Sequence, residues 1–114
     1  MTKGLKDNQD KPKLHLLFRQ FPRAIKAIVE LSEYGHKKYI EGDEDYQNFS
    51  RVNNPDIAYK DAFLRHLLDS YIYGDVDESG HKHSAHRAWN ALADLELILR
   101  REEYEDNDSK TKNS

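Results

Sequence analysis

Residues 83–99, HSAHRAWNALADLELIL, set the tightest limit on what this chain can fold into. Their apolar members Ala85, Ala88, Trp89, Leu92, Leu95 and Leu99 recur at spacings of three and four. That period lines them along one face of an α-helix and does not suit a strand. A second line of the same helix carries His83, His86, Asn90 and Asp94, at i, i+3, i+7 and i+11. One helix therefore presents a core face holding the only Trp beside a row of groups able to meet metal or phosphate. A polar turn, Asp77 to Lys82, leads into it.

Two more helices are predicted. Pro22 is suited to a first helical position, and AIKAIVELSEYGHKKY continues a helix over 22–39 with Ile25, Ile28, Val29 and Ser32 inward. Gly35 costs that helix roughly 1 kcal/mol against Ala. It is either a near-terminal glycine of little consequence or a mark of close approach by a backbone or ligand. Asn54-Pro55 reads as a cap followed by Pro at the first helical position, with Asp56 favourable to the dipole. The helix over 55–73 is expected to bury Ala58, Ala62, Leu64 or Phe63, Leu67, Leu68, Tyr71 and Ile72, and Gly74 to end it. The third helix is expected over 83–104. Between 40 and 54 lies a polar, acidic loop of about fifteen residues, a length often associated with function.

The ends contribute little. Residues 1–10 read as a flexible N-terminus, and 105–114 as a disordered, charged tail. Residues 11–21, KPKLHLLFRQF, read as an extended or irregular arm packing Leu14, Leu16, Leu17 and Phe18. The expected fold is all-α, a three-helix core with an N-terminal arm. With 37% hydrophobic and 34% charged residues the core is modest, so a helical bundle completed by oligomerisation, as a homodimer or homotetramer, is expected. No cysteine is present, which excludes a disulfide framework and a thiolate zinc site. No apolar run approaches the roughly 18–20 residues of a membrane span, and the N-terminus lacks a signal-peptide core. A cytoplasmic protein with no membrane partner is expected. A net charge of −3 argues against duplex nucleic acid as a partner.

Glu30 and Glu33 lie one helical turn apart, where two carboxylates can bridge Mg²⁺ or Mn²⁺. The competing reading is a solvated acidic face balanced by Lys26 and Lys37. Lys38 and Tyr39 can meet a phosphate and a base or sugar, or be surface charge and a half-buried aromatic. Asp61 and Arg65 have the spacing of an intrahelical ion pair, although Arg65 can also clamp a phosphate. His66, inside LRHLL, is either a satisfied core group or a ligand. The cluster Asp77-Glu78-Ser79-Gly80 ahead of His83 and His86 is denser than helix capping by Ser79 or Ser84 requires. His83 and His86 share a face as a metal pair would, without an HExxH motif or an assured third ligand. Asn90 suits a base edge or ribose, and His81 reads as turn surface.

Taken in order, KPKLHLLFRQFPRAIKAIVELSEYGHKKY, AFLRHLL and DESGHKHSAHRAWNALADLEL resemble the small phage family of dATP/dGTP diphosphohydrolases (MazZ-like). That family is similar to the MazG-type all-α nucleoside triphosphate pyrophosphohydrolases. The most specific blocks are Tyr34-Gly35 with Lys38-Tyr39, Arg65-His66, and Asp77 to Gly80 with His83, His86 and Asn90. Asn48-Phe49 stands where Asn-Trp is usual. The resemblance implies a single nucleotide-binding domain over 11–104 that splits dGTP or dATP to the monophosphate and pyrophosphate with Mg²⁺ (or Mn²⁺), in a host cytoplasm if the protein is a phage's. MazG-like enzymes hold the metal on an E-x-x-E and an E-x-x-D helix. Glu30-Leu31-Ser32-Glu33 matches the first; the second is absent as written, leaving Asp61, or Asp94 and Glu96, to stand in. The resemblance thus implies Glu30, Glu33, Asp61 and His66 as catalytic, and Glu30, Glu33, Asp61 and Asp94 as metal ligands. Lys38, Tyr39, Arg65, His83, His86 and Asn90 would contact the nucleotide. The missing acidic element favours one rival, a non-catalytic protein that binds or sequesters a cyclic or signalling nucleotide. A second rival, a helical adaptor, leaves the cluster at 77–90 unexplained.

Overall fold

The computed structural model describes residues 10–39 and 47–113, with side chains for 10–38 and 47–108. Residues 1–9 of the expected flexible N-terminus (1–10), the first seven residues of the acidic loop (40–46) and the Tyr39 side chain lie outside the described residues. The described chain is all-α: α1 (His15–Gln20), α2 (Pro22–Tyr39), a short 3₁₀ turn (Asn48–Arg51), α3 (Pro55–Tyr73) and α4 (His83–Asn113). No strand occurs among the described residues, only an isolated bridge between Val76 and Lys82.

The arm expected to be extended contains α1 instead. Leu, Arg and Gln are good helix formers, and Pro12 and Pro22 bracket a run too short to reveal a period. Its apolar groups stay outside: Leu14, Leu16, Leu17, Phe18 and Phe21 are all exposed. Helix α4 runs past the expected end near 104 to Asn113, since no Gly or Pro interrupts it there.

Helices α3 and α4 form the framework. Arg101 pairs with Asp56, Lys60 with Asp94, Tyr59 with Trp89 and His66 with His83. Partners that rise along one helix while falling along the other make the pair antiparallel. Asn54 precedes Pro55 in the left-handed region (φ 54°) and accepts from Ile57 and Ala58 through its carbonyl. Its side chain makes no capping bond, contrary to expectation. Gly74 (φ 94°) ends α3 as expected, donating to the Ser70 carbonyl. At the start of α4 the capping group is neither Ser79 nor Ser84. Asp75 accepts from the Ser84 backbone N–H at 3.3 Å and its hydroxyl at 3.1 Å, a carboxylate placed where the helix dipole favours it.

Burial inverts the expected faces. In α4 the buried side chains are His83, Asn90 and Ala93, while Leu92, Leu95 and Leu99 are about half exposed. The row read as polar points inward. In α3 Tyr59 is buried and Phe63 half-buried, whereas Leu64, Leu68, Tyr71 and Ile72 are exposed. In α2 Leu31 is the buried residue, and Val29 and Ser32 are exposed. In α3 and α4 the described residues cover one apolar stripe and leave a second exposed. Leu31, Tyr59 and Ala93 are the buried hydrophobic residues among those described. The radius of gyration, 18.2 Å, exceeds the roughly 13 Å of a compact chain of about this size.

Candidate functional site

A cleft of about 1450 Å³ opens between α2, the 3₁₀ turn and the α3–α4 pair. At one end lies a cluster of imidazoles around a carboxylate. The turn from Asp75 to Lys82 builds it: Asp77 N–H donates to the His81 carbonyl at 2.8 Å and Gly80 N–H to the Asp77 carbonyl at 2.9 Å. Gly80 takes φ 86°, a conformation that favours glycine. The tight turn fixes Asp77, whose Oδ2 accepts from the Ser79 backbone N–H at 3.0 Å.

Around that carboxylate stand three histidines. His66 Nδ1 and His83 Nδ1 are 2.9 Å apart. Asp77 Oδ1 lies 3.9 Å from the first and 3.7 Å from the second. His86 Nε2 is 3.5 Å from Asp77 Oδ2 and 3.1 Å from the Ser79 hydroxyl. The His66 and His86 rings stack nearly parallel, with centroids 4.1 Å apart. His81, expected as turn surface, packs its ring 5.0 Å from that of Tyr34 and so ties α2 to the turn.

Burial lowers the His86 pKa to about 4, reinforced by His66 and opposed by Asp77. Burial likewise lowers that of His66, against the pull of Asp77. For Asp77 burial alone would raise the pKa, but the Ser79 N–H and hydroxyl, with His86 and His66, outweigh it and lower it. At neutral pH the cluster is one carboxylate facing neutral His66 and His86 rings. His66, Asp77 and His83 offer one ligand atom each within 4.8 Å of one another, a group able to hold a metal ion.

The other end of the cleft is aromatic. Trp89 meets Tyr59 edge-on at 5.7 Å and Phe49 edge-on at 6.5 Å. The Tyr59 hydroxyl donates to the Phe49 carbonyl, anchoring the 3₁₀ turn to α3. The Arg100 guanidinium lies over the Phe49 ring at 5.2 Å, donating to Glu96 and Gln47.

Of the residues singled out in the sequence, Glu33, Lys38, His66, His86 and Asn90 line the cleft. Lys38 sits over the Tyr34 ring at 5.9 Å, and Asn90 donates to the His86 carbonyl at 2.7 Å. His83 is buried behind His66. The others are elsewhere. Glu30 is exposed and 4.0 Å from Lys26; Asp61 and Arg65 are exposed; Asp94 pairs with Lys60 at 2.8 Å. An added Cβ on Gly35 would meet no described atom within 4 Å, so no described backbone requires a glycine there. Asp77, Glu78, Glu96 and Arg100 also line the cleft or its cluster. Sequence reasoning offered Glu96 as a stand-in for the missing acidic element and gave Asp77, Glu78 and Arg100 no individual role. Glu96 and Arg100 are spaced as an ordinary i,i+4 ion pair, and Asp77 reads as a turn former.

No helix among the described residues is long and apolar enough to cross a membrane. Comparison with known proteins finds no match among curated proteins and none among solved structures. The family model described as "dATP/dGTP diphosphohydrolase, N-terminal" matches residues 1–107, nearly the whole chain and every element that builds the cleft. This chain belongs to the dATP/dGTP diphosphohydrolase N-terminal family.

Proposed function

We propose that the chain binds dGTP or dATP in the cleft and hydrolyses it between the α and β phosphates, releasing the monophosphate and pyrophosphate. The observation that carries this reading is the cleft's division into a charged and an aromatic end, in a chain of this family. Trp89 and Phe49 supply apolar ring edges for the purine. Lys38 offers positive charge to the triphosphate. His66 and His86 can donate to a phosphate oxygen or accept the proton of the attacking water.

The donors along the wall suit a hard cation: Glu33, Glu78 and Glu96 all line the cleft and offer carboxylate oxygens. Glu33 would hold Mg²⁺ or Mn²⁺ there, and Glu30, one turn before it and outside the cleft lining, would have to turn from Lys26 to join it. Of the stand-ins that the sequence offered, Asp61, Asp94 and Glu96, only Glu96 lines the cleft, and Glu78 would join it in place of the other two. The cation, when bound, neutralises phosphate charge and acidifies a bound water. Lys38 lies five residues, about 1.4 turns, beyond Glu33 on α2.

The reading includes self-association. Leu64, Leu68 and Ile72 on α3 and Leu92, Leu95 and Leu99 on α4 are all more than half exposed. Exposed apolar residues repeated along two helices mark an interaction surface, and a second copy would supply cover for them, although Leu92 also lines the cleft. Leu95→Glu is expected to shift the mass measured by light scattering toward the monomer; an unchanged mass would remove that face from the interface.

The test of activity is incubation with dGTP and dATP plus Mg²⁺ or Mn²⁺, with products resolved by ion exchange. Monophosphate with pyrophosphate is expected. Intact nucleotide that co-elutes with the protein would overturn hydrolysis in favour of sequestration, and absence of both products and binding would overturn the cleft's role.

A further inference from the structure

The sequence offered carboxylates as metal ligands and His83 with His86 as a possible pair; among the described residues, the group able to hold a metal joins His66 and His83 to Asp77. We propose that His66, Asp77 and His83 form a site for one divalent d-block cation of the Zn²⁺, Co²⁺ or Mn²⁺ class. This site is distinct in donor chemistry from the all-oxygen wall, and its existence does not depend on which nucleotide the cleft takes.

The distances carry the argument. The two Nδ1 atoms and Asp77 Oδ1 form a triangle with sides of 2.9, 3.7 and 3.9 Å. The point equidistant from its corners lies inside it, about 2.1 Å from each, and zinc bonds to imidazole nitrogen and carboxylate oxygen measure roughly 2.0–2.2 Å. Three ligand atoms thus surround a metal-sized centre. Two imidazoles and one carboxylate select borderline cations over Mg²⁺, which prefers oxygen and retains its waters.

The surroundings agree. Asp77 Oδ2 is occupied by the Ser79 N–H and faces His86, which orients Oδ1 toward the two Nδ1 atoms. Stacking on His86 fixes the His66 ring plane, and His83 is only 3% exposed. Such support is what holds metal ligands in place. Among the described residues, the ion-pair geometry around Asp77 involves three imidazoles and no Lys or Arg. Two imidazole ligands and one carboxylate around a divalent ion would leave a net positive centre. Because His66 and Asp77 line the cleft, the remaining coordination position faces it and would take water or a phosphate oxygen.

The test uses the full chain, stripped with chelator and dialysed, without nucleotide. Titration with Co²⁺ is expected to give visible d–d absorption saturating at one ion per chain, and Zn²⁺ to abolish it by displacement. A large excess of Mg²⁺ is expected to leave it in place. Asp77→Asn and His66→Gln, each checked for helicity by circular dichroism, are expected to weaken Co²⁺ binding by about a hundredfold or more, beyond the roughly 10–100-fold typical of outer partners. His15→Ala, on α1, is expected to change nothing. Absence of saturable Co²⁺ absorption, or equal affinity in the folded Asp77→Asn and His66→Gln variants, would overturn the site. Binding without dGTP or dATP turnover would retain the site and reject the hydrolase; Mg²⁺-driven turnover without Co²⁺ binding would do the reverse.

Discussion

The two ends of the cleft are built on the same pair of helices and by different physics. At the histidine end, a nine-residue connection from Gly74 to Lys82 folds back on itself through backbone hydrogen bonds. It places one carboxylate among three imidazoles with separations of 2.9–3.9 Å. At the aromatic end, Phe49, Tyr59 and Trp89 meet edge to face, and one hydroxyl bond holds the 3₁₀ turn in place. The first arrangement is sensitive to charge and short in range; the second offers area and tolerates small shifts. A ligand with a charged tail and a flat apolar head uses both. His86 and Trp89 are three residues apart on α4, so the change from one chemistry to the other occurs within about one helical turn.

The largest expected effect probes whether the anionic wall between these ends is catalytic. Glu33 is exposed and lines the cleft, so Glu33→Gln keeps the shape and removes the charge. Turnover of dGTP is expected to fall by about a hundredfold or more, the scale of losing one preorganised electrostatic group, with no change in melting temperature. Wild-type turnover in this variant would move the metal-binding carboxylates elsewhere on the wall.

A smaller effect separates the ends directly. His86→Ala is expected to weaken both dGTP and tripolyphosphate about tenfold, equivalent to about 1.4 kcal/mol. Trp89→Leu is expected to weaken dGTP by a similar factor and to leave tripolyphosphate unchanged. Calorimetry with the two ligands gives the four values. If Trp89→Leu weakens tripolyphosphate as much as dGTP, the division into a charge-reading and a base-reading end is wrong.

How far the sequence discloses this arrangement depends on the kind of contact. The bounds of α2 and α3 were legible, because Pro22, Pro55 and Gly74 act through local backbone geometry. The inward face of α4 was not. Hydrophobic periodicity predicts the side that avoids water, and here Leu92, Leu95 and Leu99 avoid it only when something beyond one chain covers them. His83 and Asn90 are buried instead, each with a polar partner: Asn90 bonds to the His86 carbonyl one turn back, whereas His83 meets His66, a partner on another helix that pattern alone does not reveal. His83 and His86 were readable as a pair on one helix; that Asp77 and His66 complete the group depends on how the turn folds back onto α3. Asp94 shows the opposite error. It shares the helical line of His83 and Asn90, yet one further turn of drift brings it against Lys60, outside the cleft.

The smallest effect tests the anchor of the aromatic end. Tyr59 is buried, burial raises its pKa, and its hydroxyl donates to the Phe49 carbonyl. Tyr59→Phe preserves the ring that meets Trp89 and deletes only the donor. The loss is expected to be about 1 kcal/mol, the net value of one such hydrogen bond, which lowers the melting temperature of a domain this size by roughly 4–8 °C. Because Phe49 is the residue released, Trp89 fluorescence should change and affinity for dGTP fall, while tripolyphosphate binding and Co²⁺ absorption at the histidine end stay as in wild type. A fall in stability without any change at Trp89 would mean that the 3₁₀ turn is held mainly by Arg100 through Gln47 and the Phe49 ring. A matching change at the histidine end would mean that the two ends are one cooperative unit, and the contrast drawn between them would not survive it.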